Sequence, residues 1–137
     1  MKFVLLIFIA QDTFLANHFL HHALVALRKG WRVVVATNIT SQEVILELQR
    51  YGIEVVDTQV QRKTIGPWSE MSSVFRLVKI INEVKPNVIH NYGTKYIIYA
   101  TAAAKISKVR PVIINNLTGL GIVFSIKKKL LILLCVF

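Results

Sequence analysis

Apolar positions along this chain recur with two different periods, and the switches between them mark out the elements. Lys2–Ile9 is dominated by one continuous apolar run, short and aliphatic enough for a central strand covered on both faces. From Thr13 to Lys29 the period lengthens. Ala16, Leu20, Ala23, Leu24 and Leu27 follow helical spacing while Asn17, His21 and Arg28 line another side, and Gly30 closes the helix. Trp31–Thr37 is a second β-branched strand. "TSQE", from Thr40 to Glu43, has capping-box spacing ahead of a short helix that ends at Gly52. Ile53–Asp57 reads as a third strand.

A polar loop from Thr58 to Gly66 then leads to Pro67, expected in a first helical turn. Met71, Val74, Phe75, Val78 and Ile81 predict the buried face of that helix, with Ser72, Arg76, Lys79 and Glu83 opposite. Pro86 stops it. Asn87–His90 is a fourth strand, Thr94–Ile106 a helix whose Ala100, Ala103 and Ala104 allow close packing, and "VIINNL" after Pro111 a fifth strand. Strands and helices alternating in this way imply right-handed crossovers and a mainly parallel sheet with helices on both faces. The expected fold is α/β, a Rossmann-like doubly wound domain of five strands in the order 3-2-1-4-5.

Composition narrows the functional classes. With 137 residues, 54% of them hydrophobic and 18% charged, the chain has the length of one domain and a sticky surface. Its net charge of +10 is unevenly spread: nine Lys/Arg and all seven acids precede Lys85, and eight basic residues with no acid lie from Lys85 onward. That asymmetry suits a phosphate-rich partner, such as anionic lipid or a pyrophosphate. Nucleic acid is not expected as a partner, because the aromatic residues sit in apolar-periodic segments and no nucleic-acid-binding motif is present. The opening "MKFVLLIFIA" has the look of a signal peptide, but cleavage after Ala10 would put bulky Phe8 where a small residue is needed, so a strand is the better reading. No apolar stretch reaches the roughly 20 residues that span a bilayer. The single cysteine, Cys135, has no internal disulfide partner and fits a reducing compartment.

In a doubly wound sheet, ligands bind beyond the carboxyl ends of the strands, which nominates four loops. The first, "AQDTFLANH", lacks the G-x-G-x-x-G of a nicotinamide or flavin domain and offers instead Asp12 and, one turn into the helix, His18. Asp12 is open to two readings, helix cap or substrate contact. His18 and His22 have the spacing of a two-histidine metal site, but no third ligand can be picked out, and no metal is expected. His21 and His22 read as solvated or half-buried surface groups. The second loop places Asn38 at the mouth of its strand. The third, "HNYGTK", sets His90, Tyr92 and Lys95 about a helix N-terminus that Thr94 would cap, a setting suited to phosphate or polar hydroxyls. The fourth, "TGLG", contributes Thr118 and Gly119 and permits close backbone approach.

Taken in order, "FLANH", "LRKGWRVVVAT", "LQRYGIEVV", "VKPNVIHNYGTK" and "INNLTGLGIVF" resemble the N-terminal half of family 4 retaining glycosyltransferases, which have the GT-B fold. The likeness is greatest to the bacterial polysaccharide-type subgroup, and it runs from Met1 to about Phe124. It implies one Rossmann-like half, residues 1–124, that binds a saccharide or lipid-linked saccharide acceptor in surface polysaccharide synthesis. Asp12 and His90 would be catalytic, and His18, Asn38, Tyr92, Lys95, Thr118 and Gly119 would bind substrate. It implies no cofactor, the nucleotide sugar being a substrate gripped mainly by a second domain, and a cytoplasmic site of action at the inner face of the membrane. Phe19, Tyr92 and Tyr96 depart from the family pattern of arginine, histidine and proline at the matching positions, which bears on acceptor identity more than on fold.

The second domain's E-x7-E motif does not occur in this sequence. Residues 125–137, "SIKKKLLILLCVF", are therefore expected to be the truncated start of the interdomain region, and the fragment alone to be inactive. Two alternatives stay open: a non-catalytic subunit that docks a separate donor-domain protein, and a basic module for the membrane surface.

Overall fold

The computed structural model describes residues 1–60 and 66–118. The strands are β1 (Val4–Gln11), β2 (Arg32–Asn38), β3 (Glu54–Asp57), β4 (Val88–Tyr92) and β5 (Val112–Asn116), all parallel in the order β3-β2-β1-β4-β5. The helices are α1 (Asp12–Phe14), α2 (Leu20–Arg28), α3 (Gln42–Arg50), α4 (Pro67–Val84) and α5 (Thr94–Ile106). This is the doubly wound order expected from the alternation of periods.

Each face of the sheet has its own core. On one, Leu5, Ile7, Val33 and Val35 meet Ala23 and Ala26 of α2 and Leu48 of α3. On the other, Leu6, Phe8, Val34 and Ile89 meet Leu77 and Ile81 of α4 and Ala100, Ala103 and Ala104 of α5. The alanines bring α5 close to the strands, and Phe8 stacks on Tyr96 with centroids 5.7 Å apart. β1 is buried on both sides, which is why its sequence reads as an uninterrupted apolar run.

Four local expectations change. The first helix is not uniform: a π-helical turn, Leu15–Phe19, separates α1 from α2 and carries His18. The cap of α3 is Ser41, whose hydroxyl accepts the Val44 N–H, and not Thr40, which is drawn away to Asp12. Thr94 does not cap α5; Gly93 holds that position at φ 89°, with no side-chain cap. β4 runs two residues beyond His90, so Asn91 and Tyr92 alternate faces as strand residues and do not belong to the loop.

The buried face of α4 agrees with the expected one at Val74, Val78 and Ile81 and departs from it at Met71 and Phe75. Leu77, Ile80, Ile81 and Val84 are buried, while Met71 and Phe75 are exposed. Val74 and Val78 pack, partly buried, against the same core, so Leu77 and Ile80 join the expected face while Met71 and Phe75 leave it. Among the described residues no helix is long and apolar enough to cross a membrane.

Candidate functional site

The carboxyl ends of β1 and β4 frame a cavity of about 300 Å3. Ile9, Ala10 and Gln11 of β1 form one side, and Phe14 of α1 stands above them. Tyr92 and Gly93 close the β4 side; Thr94, Lys95 and Tyr96, the first turn of α5, face them, and Thr118 completes the rim. Gly93 makes this corner possible. Its φ of 89° with ψ of 151° is a conformation open in practice to glycine, and its N–H donates to the Asn116 carbonyl at 3.1 Å. The chain thereby turns from β4 straight into α5. The uncapped N-terminus of α5, with Lys95 beside it, favours an oxyanion or a hydroxyl oxygen in the cavity.

Tyr92 is held from behind. Its hydroxyl lies 2.5 Å from Nδ1 of His22 and 3.2 Å from Nδ1 of His90, and its ring packs on Phe19 at 4.5 Å. Strand alternation puts His90 and Tyr92 on the face covered by α2, and a three-residue step along the helix brings Phe19 and His22 over them. Burial first, and neighbouring His22 second, lower the His90 pKa to about 4. Burial and the adjacent His21 lower that of His22, and burial raises that of Tyr92. The trio is therefore uncharged at neutral pH. His90 stands behind the cavity wall and is not among the residues that line it. His22, expected as a solvated or half-buried group, is half-buried and part of the assembly.

Asp12 and Asn38 stand apart from the cavity. Asp12 has no accessible surface. Its carboxylate accepts the backbone N–H groups of Thr13 at 2.8 Å, Thr40 at 3.0 Å and Ser41 at 2.9 Å, together with the Thr40 hydroxyl. Burial alone would raise its pKa, but the hydrogen bonds from Thr40, Ser41 and Thr13 outweigh it and leave the carboxyl below its ordinary value. Asp12 thus clamps the end of β1 to the start of α3, and through the Thr13 N–H it also serves the first turn of its own helix.

Asn38 donates from Nδ2 to the Val60 carbonyl at 2.7 Å and accepts the Thr58 hydroxyl at 3.1 Å. With its proton so used, Thr58 accepts from the Tyr96 hydroxyl at 2.9 Å. Asn38 therefore reaches the cavity only through Thr58 and Tyr96.

His18 is exposed on the π turn and packs against Phe14 at 4.8 Å between centroids, one side chain away from the cavity. Of the expected site residues, the structure brings Tyr92, Lys95 and Thr118 together. Gly119 lies outside the described residues. Gln11 and Phe14 lie in the first nominated loop but were not singled out there; they line the cavity because β1 extends to Gln11 and α1 begins at Asp12. Among the described residues, no group of three His, Cys, Asp or Glu side chains could hold a metal ion.

Two glycosyltransferases of known structure share this fold. One, from Rickettsia africae ESF-5, superposes with a TM-score of 0.65 at 12% identity, over 83% of this chain and 29% of that one. The other, the calicheamicin glycosyltransferase CalG4, has a TM-score of 0.54 at 13% identity, over 84% of this chain and 32% of that one. At these identities the likeness is one of fold, and this chain spans about a third of either length. No curated protein matches the sequence significantly. The family model described as glycosyl transferase 4-like matches residues 4–135. With that match running over almost all of its length, the chain belongs to the glycosyl transferase 4-like family.

Proposed function

We propose that this chain is the acceptor-binding half of a retaining glycosyltransferase of surface polysaccharide synthesis. A saccharide, lipid-linked in the cell, presents its hydroxyl at the cavity over β1 and β4, and a donor domain outside the described residues supplies the nucleotide sugar. The observation that carries this reading is the cavity itself: Gln11, Thr94, Lys95 and Thr118 offer polar partners around the aromatic faces of Phe14 and Tyr92. At about 300 Å3 it is large enough for a single sugar ring. Apolar ring faces pack on aromatic side chains while hydroxyls take the polar rim, and the α5 N-terminus with Lys95 favours a linking phosphate.

In this reading Tyr92 and Lys95 contact the acceptor. His22 and His90 fix Tyr92, Asn38 and Thr58 fix Tyr96, and Asp12 fixes the turn that carries Phe14. The half alone has little or no transferase activity, since a grip on the nucleotide sugar has to come from the donor domain. No cofactor is needed. Its place would be the cytoplasmic side of the membrane, where lipid-linked acceptors are extended.

Saturation-transfer NMR on the chain tests this. A lipid-linked saccharide analogue should receive saturation at its sugar protons, and Lys95→Ala should abolish the transfer without changing the melting curve. Nucleotide sugars should receive none. Tight binding of a nucleotide sugar together with silence from the saccharide would defeat the proposal.

A further inference from the structure

Strand β1 loses its regular alternation at its carboxyl end. Leu6 and Phe8 lie on the face under α4 and α5, beside Val34 and Ala36 of β2, while Ile7 and Ile9 lie on the face under α2 and α3. Unbroken pleating would carry Ala10 to the first face and Gln11 to the second. The register slips instead: Phe8 pairs with Ala36 but Gln11 pairs with Asn38, so one extra residue of β1 is bulged out between them. Asn38 belongs to the face of α4 and α5, where it reaches Val60 and, through Thr58, Tyr96. Gln11, in register with it, turns to the same side, toward the first turn of α5. The bulge thus lets three consecutive residues, Ile9, Ala10 and Gln11, line the cavity. The next residue, Asp12, is bonded to Thr40 and Ser41, which holds the end of the bulged strand in place.

We propose, on the acceptor reading given above, that Gln11 selects the acceptor by reading one hydroxyl of its sugar ring. The N-terminus of α5 and the Lys95 ammonium can only donate hydrogen bonds. A sugar hydroxyl held by such donors through its oxygen still has a proton to place, and that proton needs an acceptor. The Tyr92 oxygen is already engaged by His22 and His90, and the Tyr96 hydroxyl is engaged with Thr58. Among the described lining residues Gln11 carries the only carboxamide, and none carries a carboxylate. Its Oε1 accepts and its Nε2 donates, which matches both halves of a hydroxyl. The side chain is half-buried, and no hydrogen bond among the described residues engages it. An amide is not basic, so Gln11 orients the hydroxyl and does not deprotonate it. A sugar whose hydroxyl is missing or inverted at that position leaves the amide unpaired, which is the basis of the selection.

Calorimetric titration of the full chain tests this. The probes are glucose, galactose and N-acetylglucosamine linked to farnesyl diphosphate, followed by analogues of the tightest binder that lack one ring hydroxyl at a time. Gln11→Met keeps the length of the side chain and removes the amide. It should bind the parent saccharide about fivefold more weakly, the worth of one neutral hydrogen bond, with an unchanged melting curve. One deoxy analogue should bind wild type and Gln11→Met equally, while the other analogues keep the difference. Gln11→Ala should give the same pattern, so the result does not depend on how methionine packs. Equal affinity of wild type and variant for the parent saccharide would overturn the role of Gln11 and leave the acceptor cavity standing. A loss that persists on every analogue would reveal a change of cavity shape and no hydroxyl contact, and overturns the role as well. Failure of the wild type to bind any of the three saccharides would remove the acceptor reading itself, and Gln11 with it.

Discussion

The phenol oxygen of Tyr92 lies 2.5 Å from Nδ1 of His22, a contact between a strand and a helix 70 residues apart in sequence. Nδ1 of His90 is 3.2 Å from the same oxygen. One hydroxyl proton cannot be donated to both rings, so at least one imidazole carries its proton on Nδ1. The cavity wall is thus oriented by a neutral three-residue network, and its charge state should show in solution.

His90 should titrate at about 4 in the folded protein, held down by burial first and by His22 second. Its unfolded value is near 6.5, so between the two the unfolded chain binds the proton more readily. Stability from this group is present above pH 6.5 and is lost as pH falls toward 4. His22, also lowered, acts with the same sign. Imidazole C–H shifts followed by NMR should stay flat for His90 from neutral pH down to about 5, and His90→Gln should flatten unfolding free energy across that window. A His90 midpoint near 6.5 would show a solvated ring and no buried network.

Asp12 makes the opposite demand on the same end of the sheet, since it must be charged. Asp12→Asn keeps the shape but replaces a four-bond anionic acceptor with an amide that offers one carbonyl oxygen. The expected loss is about 2–4 kcal/mol, from buried N–H donors of Thr40 and Ser41 left poorly paired. Its folded pKa lies below 3.8, so the wild-type contribution is intact above that value and disappears as pH falls through the lowered one. Urea unfolding from pH 6 to about pH 2 measures both effects: the variant should start less stable and lose less on acidification. Equal midpoints at neutral pH would remove the clamp.

Much of the fold was legible because its signals are local. Continuous apolar runs in β1 and β2, helical spacing between them and Gly30 and Gly52 at the stops are enough to give an alternating order, and crossover handedness then restricts the sheet. The site was less legible because its decisive contacts are distant. "TSQE" offers two capping residues, and nothing nearby says that Asp12, 28 residues earlier, takes Thr40 and leaves Ser41 to cap. Nothing near His22 in sequence shows that it meets Tyr92, which depends on β4 continuing through Tyr92. The available hint was the i, i+2 pair His90 and Tyr92 facing the i, i+3 pair Phe19 and His22.

Gly93 is where local and distant demands meet. A Cβ there would lie 3.6 Å from the Thr118 hydroxyl oxygen, an ordinary contact, so space does not forbid alanine. Backbone conformation does: φ 89° with ψ 151° costs a residue with a side chain about 1–3 kcal/mol. Gly93→Ala should lower the unfolding free energy by that amount and loosen the N–H bond to Asn116 that joins β4 to β5. Amide exchange at Gly93 in the wild type and at the substituted residue in the variant checks the second effect. An unchanged stability would mean that the turn adopts another conformation.

The departure of Phe75 from the expected face of α4 gives the sharpest contrast available within one helix. Leu77 exposes no surface and packs in the core with Phe8 and Ala100, whereas Phe75, two residues earlier, is 56% exposed. Leu77→Ala should cost about 2–5 kcal/mol, the transfer of a buried side chain plus the cavity it leaves. Phe75→Ala should stay within about 0.5 kcal/mol, because it removes contact mainly with solvent. The apolar spacing of Met71, Val74, Phe75 and Val78 alone argues for the reverse order. Chemical denaturation of the two variants side by side decides between pattern and packing: a large loss from Phe75→Ala would mean that the N-terminal half of α4 is buried in solution.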